Sequence, residues 1–279
     1  MKKVTGLVVL SLMISVPALA GHFVPDDEAG WDAWMRDTDT WGPDDAFPTS
    51  VNGDGNLVVP VGRYQESDYY GLYCISTGDE YAGPLVGDIA SGFTGSFAVV
   101  VRYRLVAEGF DRGDAFAITD FVACSHGDGV ASTTSLVHTP QPELRVTVEL
   151  YGDVDPDGNH RDQFFSEPVG DSWFGANPIK NGVWRELTIV LEPENFARYW
   201  GGPATDYADY FNAVMANVEY MCLDFDSGFW GCGGFAFAED GRVTSGYVEI
   251  SDFRLVAIPE PATMGLLALG GLALLRRRK

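Results

Sequence analysis

The sequence predicts an all-β protein: an antiparallel β-sandwich of the jelly-roll type with one short amphipathic helix, an N-terminal signal peptide and a C-terminal transmembrane helix. Three observations lead there. Apolar and polar residues alternate over short runs, the period of a strand buried on one face. Those runs are broken by clusters of Gly, Asp, Asn and Pro, and the chain carries 33 glycines and 15 prolines to make such turns. The two ends are apolar segments flanked by cations, unlike anything between them.

Residues 1–20 begin with Lys2 and Lys3, continue through an apolar stretch from Val4 to Val16, and end in Ala18-Leu19-Ala20. A charged start, an apolar middle and an Ala-x-Ala end form a secretory signal, so signal peptidase is expected to cut after Ala20. Residues 21–46 read as an acidic arm whose Trp31, Trp34 and Trp41 pack onto the domain that follows. The sandwich itself is expected over 47–257. Asn52-Gly53-Asp54-Gly55-Asn56 is a turn cluster before Leu57-Val58-Val59, and Gly71 to Ile75 is a second apolar run. From Ser96 to Ala107, Phe97, Val99, Val101, Tyr103 and Leu105 alternate against Arg102 and Arg104, as in a half-buried strand. Leu144 to Tyr151 and Val183 to Leu191 repeat the pattern, and Val218 to Phe225 and Gly246 to Val256 close the domain. A single helix is expected at Tyr207, Tyr210, Phe211, Val214, Met215 and Val218, with Asp206 as N-cap and Asp209 in the first turn.

Composition narrows the function classes. Between the two terminal segments, residues 21–258 hold 12 of the 18 Lys and Arg and 39 of the 40 Asp and Glu, a net charge of −27. So acidic a surface repels nucleic acid and anionic lipid and favours cations or basic polymers. It also serves solubility outside the cell. Four cysteines, Cys74, Cys124, Cys222 and Cys232, suggest two disulfides in an exported chain. Of the three connectivities, Cys74–Cys124 with Cys222–Cys232 is favoured here, because the second pair would close one hairpin. No Cys-x-x-Cys occurs, which argues against a zinc site or thioredoxin-like chemistry.

The C-terminal segment, 258–279, is the most specific stretch. Pro259-Glu260-Pro261 precedes an uncharged run from Ala262 to Leu275, and Arg276, Arg277, Arg278 and Lys279 end the chain. Fourteen residues of helix span roughly 21 Å, short of the ~30 Å hydrocarbon core unless flanking residues contribute. The order of parts resembles the PEP-CTERM sorting signal of exported bacterial proteins. That resemblance implies processing by an exosortase near Pro259-Glu260-Pro261, a membrane-held intermediate through residues 262–275, and final delivery to the cell envelope, cell surface or extracellular matrix.

A second resemblance runs loosely from Tyr81 to Val256. Tyr81-Ala82-Gly83-Pro84 precedes Gly95-Ser96-Phe97; later come Trp184-Arg185-Glu186-Leu187, the Asp209 to Val218 helix, and Ile250-Ser251-Asp252-Phe253-Arg254-Leu255. The succession is similar to laminin B-type (domain IV) modules and to galactose-binding-like jelly rolls. It implies a β-sandwich adhesion or matrix module without catalysis and supplies no binding residue.

Few residues suggest local chemistry. Asp153, Asp155, Asp157 and Asn159 alternate around Gly158, with Asp162 beyond, like the start of a Ca²⁺ loop. The twelfth position is Phe164 instead of Glu, and a polar β-turn explains the same residues. Trp173, Trp200 and Trp230 flank Gly-containing loops, where an exposed ring could stack on a sugar or simply complete a core. Glu149 and Glu249 fall on the polar sides of their strands, faces that are usually solvated. His126, His138 and His160 lie in loops, and no Gly-x-Ser-x-Gly elbow, P-loop or dinucleotide fingerprint is present. The sequence therefore points to a non-catalytic surface or matrix protein that binds polysaccharide or other matrix material. A secreted carbohydrate-active enzyme and a purely structural matrix component are the alternatives.

Overall fold

The computed structural model describes residues 30–36, 41–43, 49–64, 68–77, 83–117, 120–125, 145–152, 163–166, 179–198, 202–226, 233–239 and 242–258. In chain order the strands are β1 (Trp31–Arg36), β2 (Trp41–Pro43), β3 (Ser50–Val51), β4 (Leu57–Tyr64), β5 (Asp68–Thr77), β6 (Phe97–Ala107), β7 (Phe121–Ser125) and β8 (Arg145–Tyr151). They continue as β9 (Gln163–Ser166), β10 (Arg185–Val190), β11 (Phe196–Arg198), β12 (Gly202–Pro203), β13 (Tyr220–Asp226), β14 (Gly233–Glu239), β15 (Arg242–Thr244) and β16 (Gly246–Ala257). Among the described residues one α-helix, α1, spans Ala208–Met215.

Two antiparallel sheets result. The smaller runs β10-β6-β16-β4, with β3 on the far edge of β4. The larger runs β2-β1-β5-β13-β8-β9-β11-β12. Near Leu72, β14 takes the place of β13 beside β5 and carries β7 and β15 on its two edges. A short pairing of Gly62–Tyr64 with Asp68–Tyr70 links the sheets through β4 and β5.

The core lies between the inner faces. Leu57, Val59, Val61, Val99, Val101, Leu105, Val248, Phe253 and Leu255 meet Trp31, Ile75, Val148, Leu150, Phe164, Met221, Leu223 and Phe225 in one cluster. Each fully buried large side chain contributes roughly 1.5–3 kcal/mol of burial free energy. Strict alternation alone would not build this core, because two β-bulges shift its phase. In β5, Trp34 pairs with Cys74 but Met35 with Leu72, so Tyr73 is the extra residue and Leu72 and Ile75 both turn inward. In β16, Ile250 pairs with Tyr103 and Asp252 with Arg102, so Ser251 is extra and Ile250 and Phe253 both face the core.

The arm is more than a cover. Trp31–Arg36 is a strand of the larger sheet, antiparallel to β5, and the Trp31 ring lies 5.6 Å from that of Phe253 across the sandwich. The helix also starts differently from the expectation. A 3-10 turn at Ala204–Tyr207 precedes it, which takes Asp206 inside that turn, and Tyr207 occupies the N-cap without a side-chain bond. Asp209 keeps its place in the first turn, where a negative charge suits the helix dipole. Phe211, Val214 and Met215 are buried, while Tyr210 points outward and shares the Arg198 guanidinium with Tyr207, each ring centre 4.9 Å away. Among the described residues no helix is long and apolar enough to cross a membrane; residues 259–279 lie outside them.

Candidate functional site

Side chains on β13 alternate. Met221, Leu223 and Phe225 enter the core, so Tyr220, Cys222 and Asp224 point to the outer face of the larger sheet. The register sets their neighbours on that face. Cys222 lies opposite Ser76 on β5 and Glu149 on β8; Asp224 lies opposite Cys74 and Thr147; Tyr220 lies opposite Tyr151. Phe165 and Gln163 on β9 continue the rows from Glu149 and Tyr151.

The centre of this outer face is withdrawn from solvent. Glu149 is 2% exposed, Asp224 0%, Ser76 2%, Cys74 2% and Cys222 1%. Burial pushes the Glu149 carboxyl from its ordinary 4.5 up to about 8, and a hydrogen bond from Cys222 offsets part of that rise. The Cys222 thiol is held well above the ordinary thiol range, first by burial, then by its hydrogen bond with Cys74 and by the charges of Cys74, Glu149 and Asp224. Such a thiol stays protonated and is a poor nucleophile. Burial and then Glu149 also raise the Tyr220 phenol, against a hydrogen bond with Gln163 that lowers it. Toward the rim, Tyr151 and Tyr220 stack with centres 4.4 Å apart at 13°. The site thus joins buried carboxyls to half-buried aromatic planes and an amide.

A second buried carboxylate sits on the outer face of the other sheet. Glu249 is 1% exposed, against the expectation of a solvated face. Its Oε1 accepts from Asn52 Nδ2 at 2.8 Å and Asn56 Nδ2 at 2.6 Å, and its Oε2 accepts from Arg104 Nε at 2.6 Å. The Asn52–Asn56 turn is itself closed by Asn52 Oδ1, which accepts from the Asp54 and Asn56 amides. The Arg104 guanidinium lies 4.6 Å from the Trp184 ring centre, with Arg102 at 5.1 Å. All the polar valences of Glu249 are used within the fold, so this cluster holds structure together.

The residues that the sequence singles out distribute unevenly. Ala18 and Ala20, Pro259, Glu260 and Pro261, Asp153, Asp155, Asp157, Asn159 and Asp162, Trp173, Trp200, Trp230 and Cys232 all lie outside the described residues. Among the described residues no group of three or more His, Cys, Asp or Glu could hold a metal ion. Of the expected pairs, Cys222–Cys232 reaches outside the described residues, and the strand order bears on Cys74–Cys124. Phe235 of β14 pairs with Leu72 on one side and Ala123 on the other, so a whole strand separates β5 from β7. Two strand spacings are ~9.5 Å, too far for Cys74 to bond Cys124. Cys74 instead meets Cys222, and both are thiols in the structure. Sequence reasoning missed the Glu149–Cys222–Asp224 group because alternation marks which side of a strand a residue takes, not whether that side is covered.

Comparison with known proteins bears mainly on the C-terminus. The PEP-CTERM protein-sorting motif matches residues 257–279. It makes this an exported protein sorted by an exosortase, held at the cell envelope or surface. No curated protein matches the chain. Among solved structures, an agarase, AgWH50C, aligns with 83% of this chain but only 26% of its own, at 11% identity and a TM-score of 0.34.

Proposed function

We propose that this chain is a cell-surface or extracellular matrix protein whose sandwich, of the jelly-roll type, binds polysaccharide or other matrix material without turning it over. The observation that carries the reading is the sorting motif at 257–279, joined to a domain built of β-sheet. Supporting it, the rim of the larger sheet's outer face combines half-buried, stacked Tyr151 and Tyr220 with the Gln163 side chain, an aromatic plane and a hydrogen-bonding group of the kind that sugar rings engage. After signal peptidase and exosortase act, the acidic domain meets exopolysaccharide outside the membrane. The protein purified from its envelope fraction is tested on an array of bacterial polysaccharides that includes the organism's own. Saturable binding that falls at least tenfold in Tyr220→Ala is the expected result; no saturable binding leaves a purely structural matrix component.

One observation favours a second reading. Burial pushes the Glu149 carboxyl up to about 8, which gives it the protonation state that a general acid needs at neutral pH, and a substrate would reach it only if the outer face opened. A secreted carbohydrate-active enzyme would release reducing ends from the same polysaccharide and lose that activity in Glu149→Gln. Binding without release of reducing ends supports the non-catalytic reading.

A further inference from the structure

The two central cysteines of the larger sheet are 148 positions apart in the sequence, yet their strands are neighbours. Cys74 pairs with Asp224 and Cys222 with Ser76, so the two thiols occupy the diagonal of one four-residue square on the same face. Both side chains are buried, and they are hydrogen-bonded to each other. No strand or side chain needs to be crossed for the sulfurs to meet. Diagonal neighbours ordinarily stand about 7–8 Å apart, so closing the thiol contact to an S–S bond of about 2.05 Å requires β5 and β13 to shift against each other as well as side-chain rotation.

We infer that Cys74 and Cys222 form a cross-strand disulfide in the exported protein, a covalent tie between the fifth and thirteenth strands at the centre of the buried acidic face. The compartments beyond the inner membrane sustain such bonds. The oxidant is a disulfide-bearing thiol oxidase. The thiolate of one cysteine attacks the carrier's S–S bond, giving a mixed disulfide and one carrier thiol. The second cysteine, after losing its proton, displaces the other carrier sulfur. Two electrons and two protons leave the protein, and the carrier disulfide becomes two thiols. Because both cysteines are buried in the folded sheet, the bond forms as the strands come together and is afterwards shielded from reductant. The remaining cysteines follow: Cys124 lies opposite Gly234, and Cys232 precedes Gly234 by two residues in the sequence.

The test is peptide mapping of the full chain purified without reductant and alkylated with iodoacetamide in guanidinium. Trypsin followed by an Asp-directed protease is needed, because Asp224 and Asp226 lie between Cys222 and Cys232, which share a tryptic peptide. The expected result is a linked pair of peptides bearing Cys74 and Cys222, with a thermal midpoint that falls by more than about 5 °C on reduction. Alkylated Cys74 and Cys222, or either one linked to Cys124 or Cys232, overturns the inference. A portion refolded with oxidised glutathione is mapped in parallel, so failure of export in the producing strain does not pass for failure of the pairing. In Cys74→Ser/Cys222→Ser, the midpoint's drop on reduction should shrink to what the other pair contributes; an undiminished drop also overturns it.

Discussion

Glu149 and Glu249 are both almost completely buried, but their surroundings differ in kind. Glu249 is met by a guanidinium and two side-chain amides, so its charge is compensated where it sits. Replacing it with alanine would strand Arg104, itself only 16% exposed, and we expect a loss of roughly 3 kcal/mol in denaturant unfolding. Glu149 lies opposite Cys222, whose thiol hydrogen-bonds to it, and acts on the Tyr220 phenol, and neither of these is a cation. Its carboxyl is raised from 4.5 to about 8, so the folded state binds a proton that the unfolded chain releases across that window. This contribution to stability is complete below about pH 4.5 and is lost as the pH climbs toward 8. Most exposed carboxylates are already ionised by about pH 6 and add little slope above it. Thermal melts should therefore show a midpoint that falls from pH 6 to pH 8, and Glu149→Gln should flatten that fall and raise the midpoint at pH 8. An equal slope in wild type and variant would refute the assignment.

At the level of elements, close approaches decide what each strand tolerates. Gly246 opens β16 where a Cβ would fall on the Val106 carbonyl oxygen and within 2.5 Å of the Phe237 ring. Neither can retreat easily: Val106 is fixed in the sheet and Phe237 is fully buried. Gly246→Ala should cost about 1–3 kcal/mol, read as a lower denaturation midpoint with an unchanged m-value. The sequence made some elements legible and hid others for physical reasons. β6 and β8 follow from alternation because each is long and buries one face on the core. β9 is only four residues, and β14 begins with two glycines after a Gly-rich stretch, so neither produces a clear period. The bulges at Tyr73 and Ser251 leave no compositional trace, although each resets which residues enter the core. The pairing of Cys74 with Cys222 depends on strand order, which no local pattern encodes.

At the scale of the whole molecule, the chain divides its tasks between a long acidic domain and a short cationic tail. Residues 257–279 hold the sorting motif, while β16 ends at Ala257, so the last strand of the sandwich runs directly into the signal. Ala257 still pairs with Phe97, and the Ile258 amide donates to the Ser96 carbonyl at 2.8 Å. The ordered domain therefore reaches the residue before Pro259. Proline cannot donate a ladder hydrogen bond, and the sequence places Pro259 and Pro261 just after the residues of β16. The sorting motif at 257–279 includes Pro259-Glu260-Pro261. Replacing the three residues with alanine should leave the melting midpoint of the domain within about 1 °C, since they lie beyond its last strand. It should also leave the chain in the membrane fraction at its full C-terminal mass, where the unaltered protein is shortened at its C-terminus. Fractionation with intact-mass measurement separates the outcomes: a shortened product from the variant would show that processing does not depend on this triplet.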